Sequence, residues 1–185
     1  MIDVNELRKG VAFTMNDELY QVLDYLHHKP GRGKATIRTT LRNLRTGATI
    51  QHNFISGDRV EDIFVERRGV RYIYSDGDFY TFMDKETYEQ TTIHASMLDD
   101  KVKYLSEGMD LVLSTYEGEP LEIELPAAVE LEVVDSEPAV AGNTATGAMK
   151  RVTVETGLDV QVPLFVNVGD VIKVDTRTGE YVTRV

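Results

Sequence analysis

The sequence predicts a mainly β protein assembled from small barrels, and three observations carry that prediction. Glycine-containing turn signals are dense, at Gly57-Asp58, Asp76-Gly77-Asp78, Thr156-Gly157, Gly169-Asp170 and Thr178-Gly179. The segments between them are short and rich in β-branched and aromatic residues, as in Arg71-Tyr72-Ile73-Tyr74, Leu121-Glu122-Ile123-Glu124-Leu125 and Val171-Ile172-Lys173-Val174. Persuasive helical periodicity is confined to residues 96–106, where Leu98, Val102 and Leu105 fall on one face. Short strands at regular spacing with such turns build barrels or sandwiches.

Composition sets the outer bounds. The chain has 185 residues, 20 basic and 31 acidic side chains, a net charge of −11, and neither Cys nor Trp. Without cysteine there are no disulfides, thiolate zinc sites or cysteine nucleophiles. No run approaches the 18 apolar residues of a transmembrane helix. The N-terminus, Met1-Ile2-Asp3-Val4-Asn5-Glu6, has early acids and no apolar stretch, so a secretory signal is not expected. These features predict a soluble cytoplasmic protein with no membrane partner.

Two boundaries divide the chain. One lies near Asp62-Ile63, after a polar stretch, and the other at Pro126-Ala127-Ala128, between two strand-like runs. They define segments 1–62, 63–126 and 127–185, each so small that contacts with its neighbours should help stabilise it. A single larger β domain is the alternative. The charge is uneven across these segments: 9 basic and 8 acidic residues in the first, 6 and 14 in the second, 5 and 9 in the third. Within the first, Lys29, Arg32, Lys34, Arg38, Arg42 and Arg45 occupy a 17-residue window without a single acid. The protein is acidic with one basic end.

Strand patterns flank this window. Before it, Tyr20, Val22 and Asp24 alternate with Gln21, Leu23 and Tyr25; after it, Ala35, Ile37, Thr39 and Leu41 alternate with Thr36, Arg38, Thr40 and Arg42. The second pattern gives an apolar face for a barrel core and a basic face for solvent. Between the strands, His27-His28-Lys29-Pro30-Gly31-Arg32-Gly33-Lys34 reads as a long hairpin tip. Pro30 fixes its own φ and biases Lys29 toward an extended backbone. Gly31 and Gly33 bracket Arg32 and permit sharp bends on both sides. Such a loop presents one long cation, whose planar fork of donors suits phosphate and sugar oxygens. A solvated charged turn is the plainer explanation, but Arg38, Arg42 and Arg45 on the following strand extend the tip into a basic stripe suited to RNA.

Other chemistries fit less well. The GxxxxGK[ST] spacing of a phosphate-binding loop is absent. His27 and His28 are adjacent on a strand and point to opposite faces, and His52 and His94 have no ligand-like spacing, so no metal or other cofactor is expected. There is no GxSxG or HExxH motif. The pairs Asp99-Asp100 and Glu61-Asp62 read as solvated charge, and Tyr72, Tyr74, Phe79, Tyr80 and Phe82 as sheet packing. No catalytic residue is expected.

Several motifs resemble the bacterial elongation factor P family, and the agreement runs essentially end to end. Lys29-Pro30-Gly31-Arg32-Gly33 is similar to that family's Lys-Pro-Gly-Lys-Gly loop. Tyr74-Ser75-Asp76-Gly77-Asp78, Phe82-Met83-Asp84 and Glu86-Thr87-Tyr88-Glu89-Gln90 match its middle. The most specific piece lies at the C-terminal end: Gly157, then Val162-Pro163-Leu164-Phe165-Val166, then Gly169-Asp170-Val171-Ile172-Lys173-Val174-Asp175-Thr176-Arg177-Thr178-Gly179-Glu180-Tyr181.

The resemblance implies three barrels in a row, a KOW-type barrel followed by two OB folds, with an elongated tRNA-like outline. It implies binding to both ribosomal subunits between the peptidyl-tRNA and exit sites. The first-domain loop would then reach the CCA end of peptidyl-tRNA and relieve stalling at consecutive prolines. Its members act by positioning, as monomers and without a cofactor, while the ribosome performs the chemistry. The commonly modified tip lysine is Arg32 here, which excludes lysylation at that position. Relatives with arginine at the tip can carry rhamnose on it, making an enzyme that modifies Arg32 a candidate partner. Gly142-Asn143-Thr144 stands where the family often has Gly-Asp-Thr in a third-domain loop near the exit-site codon. The elongation factor P-like paralogue and a general RNA-binding OB-fold protein are the alternative functions.

Overall fold

Alternation of apolar and polar residues decides the first sheet. In the computed structural model, which describes residues 1–139 and 148–185, Ile37, Thr39, Leu41 and Asn43 turn inward from one strand while Arg38 faces solvent. That strand is β4 (Thr36–Asn43). It belongs to a six-stranded sheet with β1 (Ile2–Asp3), β2 (Ala12–Met15), β3 (Glu18–His28), β5 (Thr49–Ile55) and β6 (Arg59–Ile63), in the order β1-β6-β2-β3-β4-β5. Val4, Leu7, Phe13, Val22, Ile37, Leu41, Phe54 and Val60 fill its core. Burying a ring such as Phe13 completely contributes about 2–3 kcal/mol.

The β3 pattern departs from simple alternation. Its register against β4 shifts between Val22 and Asp24, so Leu23 is an extra residue and the faces exchange beyond it. Tyr25 therefore packs toward the core beside Val22, and Asp24 turns out to solvent. The sequence pattern alone puts Asp24 with Val22; the bulge overturns that.

The second sheet comprises β7 (Glu66–Asp76), β8 (Phe79–Asp84), β9 (Gln90–His94), β10 (Asp110–Tyr116) and β11 (Glu119–Glu124), ordered β11-β10-β7-β8-β9. Its aromatic segment is only partly packing, contrary to expectation. Tyr72 and Phe82 are buried with ring centroids 5.6 Å apart, and Tyr80 leans on Tyr72, but Tyr74 and Phe79 are exposed. A second register shift, between Tyr72 and Tyr74, turns Tyr74 off the core, and Phe79 lies on the outward side of β8, whose Tyr80 and Phe82 face inward. The expected helix over residues 96–106 is also shorter. One α-turn, α1 (Ala95–Leu98), is capped by His94, whose Nδ1 accepts from the Ser96 N–H. Asp99 then takes φ +48° and a 3-10 helix runs from Asp99 to Tyr104. Aspartate competes for backbone hydrogen bonds and tolerates positive φ, so the Asp99-Asp100 pair ends the α-helix early. Leu98, Val102 and Leu105 nevertheless reach the same core.

The third sheet contains β12 (Ala128–Ser136), β13 (Met149–Val154), β14 (Asp159–Pro163), β15 (Val171–Asp175) and β16 (Tyr181–Arg184), ordered β14-β13-β12-β15-β16. Along β12, Val129, Leu131 and Val133 are buried while Glu130 and Glu132 are exposed. Its core is mostly valine, in keeping with the fit of β-branched side chains to a pleated surface. By contact density the chain forms two compact units, Met1–Arg67 with Ser114–Glu122 and Arg68–Leu113 with Ile123–Val185. No helix among the described residues is long and apolar enough to cross a membrane.

Candidate functional site

The β3–β4 hairpin carries the basic tip. Its strands remain paired as far as Leu26 with Arg38, His27 with Ile37 and His28 with Thr36. On the other side β4 pairs with β5 without interruption from Thr36–Ile55 to Arg42–Thr49. The Ser56 N–H donates to the Ala35 carbonyl at 2.8 Å, pinning the chain where it leaves the loop. Inside the sheet the Thr39 hydroxyl donates to the His52 carbonyl at 2.7 Å. On the core side the Arg8 guanidinium lies 5.3 Å from the Tyr25 ring centroid while donating to the Asn5 and Leu7 carbonyls. The loop thus rises from a base held by its neighbouring strands and braced on its core face.

Lys29, Pro30, Gly31, Arg32, Gly33 and Lys34 are all exposed. Gly33 adopts φ +98°, so the chain needs a glycine there, whereas Gly31 lies outside the positive-φ region. Among the described residues, the Arg32 guanidinium and the Lys29 and Lys34 ammonium groups have no ion-pair or hydrogen-bond partner. Three cations thus stand at the end of the hairpin with their donors open to a ligand.

The stripe on β4 is not uniform. Arg38 is exposed and without a partner among the described residues. Arg42 approaches both carboxylate oxygens of Glu122, at 3.1 and 3.3 Å. Arg45 Nε donates to Glu119 at 3.0 Å, another of its nitrogens donates to the second Glu119 oxygen at 3.3 Å, and a third contact reaches the Asp17 carbonyl. Hydrogen bonding to Glu119 raises the Arg45 pKa above its ordinary value, despite partial desolvation. The acid-free window in sequence is therefore not acid-free in space. Glu119 and Glu122 come from β11, more than 70 residues away, and neutralise two of the three stripe positions. The alternation of Leu121 and Ile123 with Glu122 marks the acids as outward-facing, but nothing local in the sequence names their partners.

The remaining sites divide in two. His27, His28, His52 and His94 lie apart, His52 packing edge-on to Phe54 and His94 to Phe79, and no metal-ligating cluster occurs among the described residues. Gly142, Asn143 and Thr144 lie outside the described residues.

Comparison with known proteins finds three family models along the chain. Residues 3–60 match the elongation factor P KOW-like domain, 65–123 the elongation factor P OB domain, and 129–184 the elongation factor P C-terminal domain. The chain belongs to the elongation factor P family. Elongation factor P of Moorella thermoacetica is 48% identical over 184 residues, and that of Pelotomaculum thermopropionicum 49% over 185, each covering 100% of both chains. Elongation factor P of Caldanaerobacter subterraneus is 48% identical over 185 residues with the same coverage. Among solved structures, a translation initiation factor 5A from Methanococcus jannaschii aligns with a TM-score of 0.57 at 20% identity, covering 66% of this chain and 90% of its own. A translation initiation factor 5A-family protein from Naegleria fowleri aligns at 0.50 and 16% identity, over 67% and 96%. These two likenesses show the fold. Family membership makes the chain a translation elongation factor, with KOW-like and OB domains as the sequence predicts.

Proposed function

We propose that the protein binds the cytoplasmic ribosome, as a monomer, between the peptidyl-tRNA and exit sites, and speeds peptide-bond formation at consecutive prolines. In this reading the barrels span residues 1–62, 63–126 and 127–185. The observation that carries the reading is the tip: an exposed Arg32 between two glycines, without a partner among the described residues, on a loop whose base is paired to neighbouring strands and braced on its core face. A guanidinium there meets the sugar and phosphate oxygens of the CCA end with directional donors. Holding that terminus still places the peptidyl ester where the incoming amine can attack, and a misplacement of about 1 Å costs on the order of 100-fold in rate. No side chain of the protein makes or breaks a bond. The neighbouring Lys29 and Lys34 supply charge, and Arg38 extends the contact along β4. Arg32 is the position a modifying enzyme would address, because no other tip cation stands between the two glycines.

A translational reporter containing three consecutive prolines tests this in cells lacking the protein. Restoring the wild-type chain relieves the pause, whereas Arg32→Ala leaves it in place although the variant melts at the wild-type temperature. Equal pausing with and without the wild-type protein overturns the reading.

A further inference from the structure

Below the tip, the outward face of β3, β4 and β5 forms a trough of about 310 Å³, at the lower end of the range of small-ligand pockets. Its side chains stand on two successive rungs of the sheet. Asp24, Thr40 and Gln51 align on one, and Leu26, Arg38 and Asn53 on the next. Residues on alternate positions share a face, so these six make one compact block. The β3 bulge is what brings Asp24 and Leu26 to this side.

The block's chemistry is unspent. Among the described residues, the side chains of Arg38, Thr40, Gln51 and Asn53 have no hydrogen-bond partner, and Leu26 is 60% exposed. Asp24 is paired with Lys9 at 3.5 Å, which leaves Arg38 unneutralised. The three arginines of the stripe therefore differ in kind: Arg42 and Arg45 are closed by carboxylates, and Arg38 sits beside two β5 carboxamides without a partner among the described residues.

We infer that this trough binds one unpaired nucleotide of an RNA strand. The identity of that strand, the acceptor end beneath the tip, rests on the function proposed above. Arg38 takes the phosphate through its planar fork. Gln51 and Asn53 each offer a donor and an acceptor, the pairing that reads base edges. Leu26 supplies an apolar surface against the base. An acidic peptide fits less well: Arg38 is the one cation lining the trough among the described residues, and a second carboxylate would face Asp24.

Nitrogen-15 NMR of the full chain, titrated with the trinucleotide cytidylyl-cytidylyl-adenosine, tests the inference without ribosomes. The side-chain amide signals of Gln51 and Asn53, and the backbone amides of residues 38–40 and 51–53, are expected to shift saturably. Arg38→Ala should weaken binding about tenfold and Asn53→Ala measurably, with all distant signals unmoved. The log–log salt dependence should have a slope of about −0.7, that of one phosphate contact, and lose it in Arg38→Ala. Absence of shifts in the trough, or shifts confined to residues 29–34, overturns the inference. So does an equal response to a glutamate hexapeptide, which would make the trough a peptide site. Failure of the wild type in the proline reporter is a separate result: it removes the translational reading and leaves the titration to decide the trough.

Discussion

Gly33 and Asp110 show how much a single position can carry. Gly33 holds φ +98°, and a Cβ built there has nothing within 4 Å, so the cost of a side chain is conformational rather than steric. Gly33→Ala should destabilise the protein by about 1 kcal/mol in urea denaturation, and it should lower activity further by re-aiming Arg32. Gly31→Ala, at ordinary φ and equally open, should be neutral or slightly stabilising. The two glycines look equivalent in the sequence, because φ is fixed by the closed loop rather than by the residue type. Asp110 accepts from Arg71 Nε and Lys85 Nζ, each at 2.9 Å, and these hydrogen bonds hold its pKa at about 2 against an ordinary 3.8. A carboxylate with a lowered folded-state pKa stabilises the fold above its unfolded value and loses that contribution as pH falls through the folded one. Asp110→Asn should therefore flatten the dependence of stability on pH between 3.8 and about 2, measured by thermal melts, and the difference should shrink with added salt because the groups are half exposed.

At the scale of elements, β4 and β11 together decide how much of the basic end is available. Glu119 and Glu122 close Arg45 and Arg42, so the cations left open are those of the tip and Arg38 rather than a continuous cationic strand. The double substitution Glu119→Gln with Glu122→Gln should raise affinity for an oligouridine strand and steepen its salt dependence by about −0.7 for each cation that gains a phosphate, as read by fluorescence anisotropy. Unchanged affinity in a folded variant would mean the two arginines are not restrained by these acids. This pairing marks the limit of what the sequence shows. Strand existence, the inward face of β4 and the hairpin itself follow from period-2 alternation, which is local. The bulges after Val22 and Tyr72 and the closure of Arg42 and Arg45 depend on partners distant in the chain, whereas α1 ends at the local Asp99-Asp100 pair. Gln51 and Asn53 lie on the face of β5 opposite Ile50, His52 and Phe54, and the register with β4 sets them beside Arg38.

For the whole molecule, the relevant quantity is where the charge lies. The net charge of −11 is concentrated beyond residue 62, while the first segment is nearly balanced and contains the open cations. In the proposed function, repulsion from the acidic segments would limit indiscriminate adsorption to RNA, and the tip would supply the local contact. The identity of 48–49% to elongation factor P relatives spans 100% of both chains, so the likeness is not confined to the loop. The central claim is that Arg32 accelerates the reaction by positioning. Its most direct test is the rate of proline–proline bond formation on purified ribosomes at saturating protein. The account predicts that the wild type speeds the step and that Arg32→Ala, bound with similar affinity, falls to nearly the unassisted rate. An Arg32→Ala protein that retains the wild-type rate at saturation would contradict it.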